Sequence, residues 1–221
     1  MSGVNSKTKK KPGRPFAAKQ INMTSLLNIA IKEFARSGFD GAQQKDIAKK
    51  MGISNSLMNY HFGSKEDLWY KAMDHLGKKL TKQLIKIKET NKDLEGLDLL
   101  KAYTRHYVLF CAKHPEVYKI LMHELYTKTK RADWVIENMS TPLENLFQQD
   151  IDKSVTKHLA IYHIPTANFS TILGGACNTF FIEAHRMKNS FGVNPLSKEQ
   201  IEKHADVIVN LFFNTQLIIS K

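Results

Sequence analysis

Apolar residues recur at intervals of three and four along nearly the whole chain, and no stretch alternates cleanly over strand length. That pattern predicts an all-α protein of about nine helices. Leu26, Leu27, Ala30, Ile31 and Phe34 form a first stripe that stops at Ser37-Gly38, where glycine can take the left-handed cap conformation. A short second helix runs from about Gln44 to Met51, with Ile47, Ala48 and Met51 apolar, and ends at Gly52. Ser54 is a good N-cap for a third helix reaching Phe62. Ser64-Lys65-Glu66-Asp67 then resembles a capping box, opening a long helix with Leu68, Ala72, Leu76, Leu80, Leu84 and Ile87 on one side.

Beyond a polar break at Thr90 to Glu95, Leu99, Tyr103, Tyr107 and Phe110 mark a further helix. His114-Pro115 begins another with Val117, Ile120, Leu121 and Leu125, its proline at a first-turn position where the missing N–H is harmless. Thr141-Pro142-Leu143-Glu144 reads either as a fresh capped start or as a kink in a helix from about Asp133 to Asp152. The last two helices are predicted at about Pro165 to Lys188 and Ser197 to Ile219, joined by a turn-rich Asn189 to Pro195.

Composition narrows the classes. The chain has 221 residues, 42% of them hydrophobic, which is enough for one or two domains with a real core. Cys111 and Cys177 stand far apart without Cys or His partners at ligand spacing, so neither a disulfide framework nor a zinc site is expected, and the nine His form no metal-ligand cluster. No cofactor is expected. The N-terminus has no apolar signal-peptide core and no apolar run reaches membrane-span length, so a cytoplasmic, non-membrane protein is expected. The net charge of +12 is unevenly placed. Lys7, Lys9, Lys10, Lys11, Arg14 and Lys19 stand among residues 1–20 without any acid, residues 21–90 remain basic, and the rest is close to neutral. A basic end on a neutral body points to a polyanion partner, nucleic acid or anionic membrane.

The segment Asp46 to Leu68, DIAKKMGISNSLMNYHFGSKEDL, decides between these partners. A helix-turn-helix needs a small residue where its helices cross, glycine at the turn, an apolar residue after it and a short second helix that fits a groove. Ala48, Gly52 and Ile53 supply the first three in order, and Ile53 can staple against Met58. At 100° per residue Met58 and Phe62 point inward together while Ser56, Leu57 and Tyr60 cluster opposite. Ser hydroxyls meet donors or acceptors on base edges, Leu57 offers an apolar contact to a thymine methyl, and Asn55 can take a phosphate at the helix N-terminus or read adenine. Asn55, Ser56, Leu57 and Tyr60 are therefore the expected base readers. Gln43, Gln44, Lys45, Asn59, His61 and Lys65 are the expected phosphate contacts.

From about Leu26 to Leu68, and most of all in IAKKMGIS followed by YHFGSKEDL, the chain resembles the DNA-binding domain of the tetracycline-repressor (TetR/AcrR) family of bacterial transcription regulators. The matching positions are Phe34, Gly38, Ile47, Ala48, Gly52, Ile53, Ser54, His61, Phe62, Lys65 and Leu68. It departs from the family where Ala42-Gln43 replace the usual Thr-Thr or Thr-Ser, where Met58-Asn59 replace Leu-Tyr and move the aromatic to Tyr60, and at Leu57, where smaller residues are common. The resemblance implies a homodimer whose third helices read a palindromic operator, and a larger C-terminal helical domain that binds a small effector and dimerises. It further implies that effector binding releases the DNA, and that the protein is a repressor without enzymatic activity. The division expected is a basic arm at 1–20, a helix-turn-helix domain at 21–67 and an effector and dimerisation domain at 68–221.

Three further expectations follow. Lys9 to Pro15, with Lys10, Lys11 and Arg14 around Gly13-Arg14-Pro15, resembles an extended arm that places Arg in a narrow A·T minor groove. Tyr103, His106, Tyr107, Phe110, Met122, Met139, Phe147, Phe169 and Leu173 are the expected walls of a pocket for a largely apolar effector. Gly174, Ala176, Phe180, Ile201, Ile208 and Phe212 are the expected dimer face. Two rival classes fit the sequence less well: a helical hydrolase or transferase, for which it lacks any Gly-x-Ser-x-Gly, phosphate loop or paired His/carboxylate motif, and a basic peripheral membrane protein, which leaves the Gly52 turn unexplained.

Overall fold

The computed structural model describes residues 22–143, 145 and 165–214. The basic arm with Lys10, Lys11 and Arg14, the expected pocket residue Phe147 and the chain beyond Asn214 lie outside the described residues. Within them every regular element is a helix: α1 Met23–Gly41, α2 Gln44–Met51, α3 Asn55–Phe62, α4 Lys65–Thr90, α5 Gly96–Lys113, α6 Pro115–Thr127, α7 Lys130–Val135, α8 Thr166–Ile182, α9 Ala184–Phe191 and α10 Lys198–Phe213.

The boundaries sit where local chemistry sets them. Asn22, Ser54, Thr129 and Ser197 each accept a backbone N–H three residues on, so four helices start on side-chain caps. Ser64 and Asp67 complete a reciprocal capping box at the head of α4. At the far end of α2, Gly52 is left-handed (φ 69°, ψ 28°), and the Gly52 and Ile53 N–H groups return to the Lys49 and Ala48 carbonyls.

α1, α2 and α3 pack around Leu26, Ala30, Phe34, Ile47, Ala48, Met58 and Phe62, and this core continues without a break into the body along Leu68, Trp69, Ala72, Met73, Leu76, Leu80 and Leu84 of α4. The expected division at 67/68 therefore falls inside one continuous helix. α1 also packs on α6, while α5, α8 and α10 form the other side of the body. Arg105 of α5 pairs with both Glu202 and Asp206 of α10.

One helix prediction is corrected and one open alternative is narrowed. The helix expected from Pro165 to Lys188 is two, because the backbone leaves helical geometry at Glu183 (φ −90°, ψ 21°), whose carboxylate pairs with Arg186 in the next helix. At Pro142 the chain stays helical through Leu143, against a fresh start there, and nearly all of the rest of the helix expected to reach Asp152 lies outside the described residues. α7 passes into a π turn at Ile136–Ser140, and Thr141 stays helical (φ −58°, ψ −45°). A proline ring ordinarily collides with the carbonyl four residues back, and a wider turn just before it relieves that collision.

Candidate nucleic-acid interface

α3 is eight residues long and is held from three sides. Met58 and Phe62 are fully buried beneath it. Gln44 Nε2 donates to the Gly63 carbonyl at 2.8 Å, tying the start of α2 to the end of α3. Lys71, one turn into α4, donates to the His61 and Phe62 carbonyls at 3.1 and 3.3 Å, which supplies partners and positive charge at the helix C-terminus. Gln44 and Lys71 thus clamp the backbone of α3 and leave its outer side chains unconstrained.

On that outer side Asn55, Ser56, Asn59 and Tyr60 are exposed, and Leu57 and His61 are partly so. Tyr60 is 82% exposed, with its ring edge-on to His61 at 5.1 Å between centroids. An aromatic this bare, on a helix whose other face is sealed, adds little to the packing of the fold. Gln43 and Lys45 are exposed on the adjoining start of α2. Two of the expected phosphate contacts are already engaged inside the protein. The Gln44 amide is committed to Gly63. The Lys65 ammonium donates to the Phe39 and Ala42 carbonyls at 2.9 and 3.1 Å and lies 4.4 Å from the Phe39 ring centre. Lys65 therefore staples α4 to the end of α1, a role that sequence pattern could not reveal because its partners lie more than 20 residues away.

A second clamp joins α1 to α2. Glu33, only 4% exposed, bonds to Arg36 in its own helix and to Lys50 in α2. The Arg36 hydrogen bond, ahead of the Lys50 bond and charge, holds its carboxyl down to about 2 from an ordinary 4.5. Its stabilising contribution is complete above about pH 4.5 and is lost as pH falls toward 2. Because Arg36 and Lys50 are themselves well exposed, Glu33→Gln is expected to cost about 1–2 kcal/mol at neutral pH. Urea unfolding at pH 7 and pH 3 tests this: the gap between wild type and variant should narrow at the lower pH, and an equal gap at both contradicts the clamp.

In the body, a cavity of about 310 Å³ is lined by α4, α5, α6, α8 and the end of α10, together with the end of the π turn and Leu143. Tyr103, Tyr107, Phe110, Phe169 and Leu173 line it as expected, alongside Leu80, Leu84, Leu100, Thr104, Cys111, Val117, Tyr118, Leu121, Ser140, Leu143, Asn178 and Phe213. None of these carries a charge. Asn178 Nδ2 donates to the Tyr107 hydroxyl at 3.1 Å and the Gly174 carbonyl at 2.9 Å. Burial pushes the Tyr107 hydroxyl and Cys111 thiol well up, and the Cys177 thiol up to about 12, so all three stay neutral.

Three expected wall residues are elsewhere. His106 bonds through Nδ1 to the Ala102 carbonyl of its own helix and faces an outer groove with Leu109 and Lys113. Met122 lies off the cavity on α6, and Met139 turns from it to pack against Gly77 of α4. The expected dimer face is also corrected. Ile208 is 3% exposed within the core, Ile201 and Phe212 pack inward beside it, and the Phe180 ring stacks on His204 at 4.5 Å. His204 Nε2 donates to the Ala176 carbonyl at 3.0 Å. A Cβ at Gly174 would meet nothing within 4 Å, so no helix of the same protomer presses on that glycine. The apolar residues actually left outward on α8 and α10 are Ile172 (59% exposed), Val207 (50%) and Leu211 (61%).

Among the described residues no cluster of His, Cys, Asp or Glu could hold a metal, and no helix is long and apolar enough to cross a membrane. A short capped helix, sealed below and bare above, behind a left-handed glycine turn defines a helix-turn-helix DNA-binding protein. Residues 26–69 match the model for bacterial regulatory proteins of the tetR family, the segment that holds α1, α2, α3 and the start of α4. It is 20% identical over 202 residues to the biofilm operon icaADBC HTH-type negative transcriptional regulator IcaR of Staphylococcus epidermidis, covering 85% of this chain and 96% of that relative. To the HTH-type transcriptional regulator RutR of Escherichia coli it is 27% identical over 119 residues, 54% of this chain and 53% of the relative. These relatives are regulators rather than enzymes. In fold it is similar to the fatty acid degradation regulator FadR of Bacillus halodurans, with a TM-score of 0.61, 15% identity and coverage of 88% and 99% of the two chains. The transcriptional regulator FadR of Bacillus subtilis, solved in complex with stearoyl-CoA, gives 0.53, 13% identity and coverage of 86% and 97%.

Proposed function

We propose that this protein is a cytoplasmic repressor without enzymatic activity that binds a palindromic operator as a homodimer and leaves it when a small apolar effector enters the body. The carrying observation is α3, whose outward Ser56 and Tyr60 stand over a sealed base. Asn55, Ser56, Leu57 and Tyr60 read base edges, and Gln43, Lys45, Asn59 and His61 meet the flanking phosphates. Ile172, Val207 and Leu211 form the dimer face. Each protomer then brings one α3 to adjacent turns of the same DNA face.

The effector's buried part carries no charge, since among the described residues no charged side chain lines the cavity to meet one. A hydrocarbon chain with a neutral polar group near Tyr107 and Asn178 fits, and the stearoyl-CoA complex of the Bacillus subtilis regulator makes long-chain acyl groups the first class to try.

Selection of bound duplexes from a random pool tests the reading. Wild type should yield a twofold-symmetric consensus. Tyr60→Ala and Ser56→Ala should each relax preference at one position per half-site at a cost of about 1–3 kcal/mol, whereas Lys45→Ala should weaken all duplexes alike. Unaltered preferences in the Tyr60 and Ser56 variants would remove α3 as the reading element.

A further inference from the structure

We infer that Arg131 is the positioning residue through which the wall of the apolar cavity sets the orientation of the DNA-reading head, with the helical segment from Lys130 to Leu143 as the connecting rod. This rests on the DNA-binding and effector reading above and adds the route between the two sites.

The two ends of that segment touch the two working parts of the molecule. At its start, the Arg131 guanidinium lies 3.7 Å from the centre of the Phe39 ring, at the end of α1, and 5.9 Å from that of Trp69 in α4. Phe39 is also approached by the Lys65 ammonium, so one ring of the reading head contacts a cation from its own head and a cation from the body. Glu124 of α6, 2% exposed, fixes the guanidinium: Arg131 Nε donates to Glu124 Oε2 at 3.1 Å, and Thr129 Oγ1 donates to the same oxygen at 3.2 Å. One turn on, Trp134 packs on Trp69 and Tyr70 at 6.0 and 5.5 Å. At the other end, Ser140 and Leu143 form part of the cavity wall.

Between these ends lies the π turn at Ile136–Ser140, which holds one residue more per turn than an α-helix. Absorbing that residue into α geometry moves everything on one side by about 1.5 Å along the axis and about 100° around it. The segment therefore has two discrete arrangements available, which coupling between distant sites requires. An occupant pressing on Ser140 and Leu143 biases one arrangement, and Arg131 carries the difference to Phe39. The buried Trp69 indole N–H, which has no acceptor in this arrangement among the described residues, marks the junction as one whose hydrogen-bonding capacity is not exhausted. α6 also meets the head where the His123 ring lies over Gly38, and α6 lines the cavity through Val117, Tyr118 and Leu121, so the head is steadied at two places, of which the Arg131 contact is the one reached through the π turn.

The experiment is a double-mutant cycle needing no identified effector. Leu143→Trp fills the cavity end at the rod and stands in for an occupant, Arg131→Ala removes the contact, and Arg131→Lys keeps a cation beside Glu124 and Phe39. Two readouts are taken on the full chain: affinity for the duplex selected by wild type, and amide hydrogen exchange in α2 and α3. Leu143→Trp is expected to weaken operator binding and speed exchange in the head by about tenfold, yet to add less than about twofold in the Arg131→Ala background. Arg131→Lys should restore most of the response, which a merely structural loss would not do. Additive effects in both readouts, or a Leu143→Trp variant indistinguishable from wild type in both, overturns the inference. Wild type selecting no preferred duplex is a failure of the DNA-binding reading instead, and the exchange readout still decides the role of Arg131.

Discussion

Gly63→Ala is expected to lower stability by about 2–4 kcal/mol. Two costs combine. Gly63 sits at φ 76°, ψ −132°, a region that residues with a Cβ scarcely occupy. An added Cβ would also lie 2.7 Å from Asp67 Oδ2, the oxygen that accepts the Ser64 N–H and hydroxyl bonds of the capping box. The turn between α3 and α4 therefore cannot relax without undoing the start of α4. Thermal melting should fall by roughly 5–15 °C for a chain of this size. Gly41→Ala is the control, because its Cβ would meet only the Ser37 Cβ at an ordinary 3.5 Å. A Gly63→Ala protein that melts with the Gly41→Ala control contradicts the account.

Leu211→Asp is expected to convert a dimer to a folded monomer and to weaken operator binding by about a hundredfold or more, since joined half-sites owe their affinity to tethering. Leu211 is 61% exposed, so the monomer has little reason to notice the carboxylate. Ile208→Asp, three residues back and 3% exposed, should instead unfold the protein. Light scattering and melting on the two variants separate interface from core. A dimeric, tightly binding Leu211→Asp variant would move the interface off α10.

The contrast between these two residues explains what the sequence could and could not reveal. α10 is apolar on both faces, Ile201, Ile208 and Phe212 on one and Val207 and Leu211 on the other, and periodicity reports an apolar stripe without saying which neighbour covers it. The inward stripe is the longer one and so reads as the interface, although within the protomer it is packed against the core. Helix starts and stops were legible because Ser54, Ser64 and Gly52 act on residues two to five positions away. The inward and outward sides of α3 were legible for the same reason: eight residues and one angle fix them.

Where the answer depended on distant partners, it was hidden. Nothing near Lys65 or Gln44 in the chain announces that their side chains are spent on the Phe39, Ala42 and Gly63 carbonyls. His106 was aromatic and suitably spaced for the cavity, yet a bond to its own helix keeps it on the outer side. The break at Glu183 has no glycine or proline to betray it. Arg131 was invisible as well, since a lone arginine before a tryptophan has no distinguishing pattern until Phe39 is placed beside it.

The bonds from Gln44 and Lys71 to the backbone of α3 have one more consequence. They anchor carbonyls rather than side chains, so the outer residues of that helix contribute almost nothing to holding it in place. Asn55, Ser56 and Tyr60 behave like type set in a fixed frame. Exchanging those letters is therefore expected to leave the frame, and its stability, as they are.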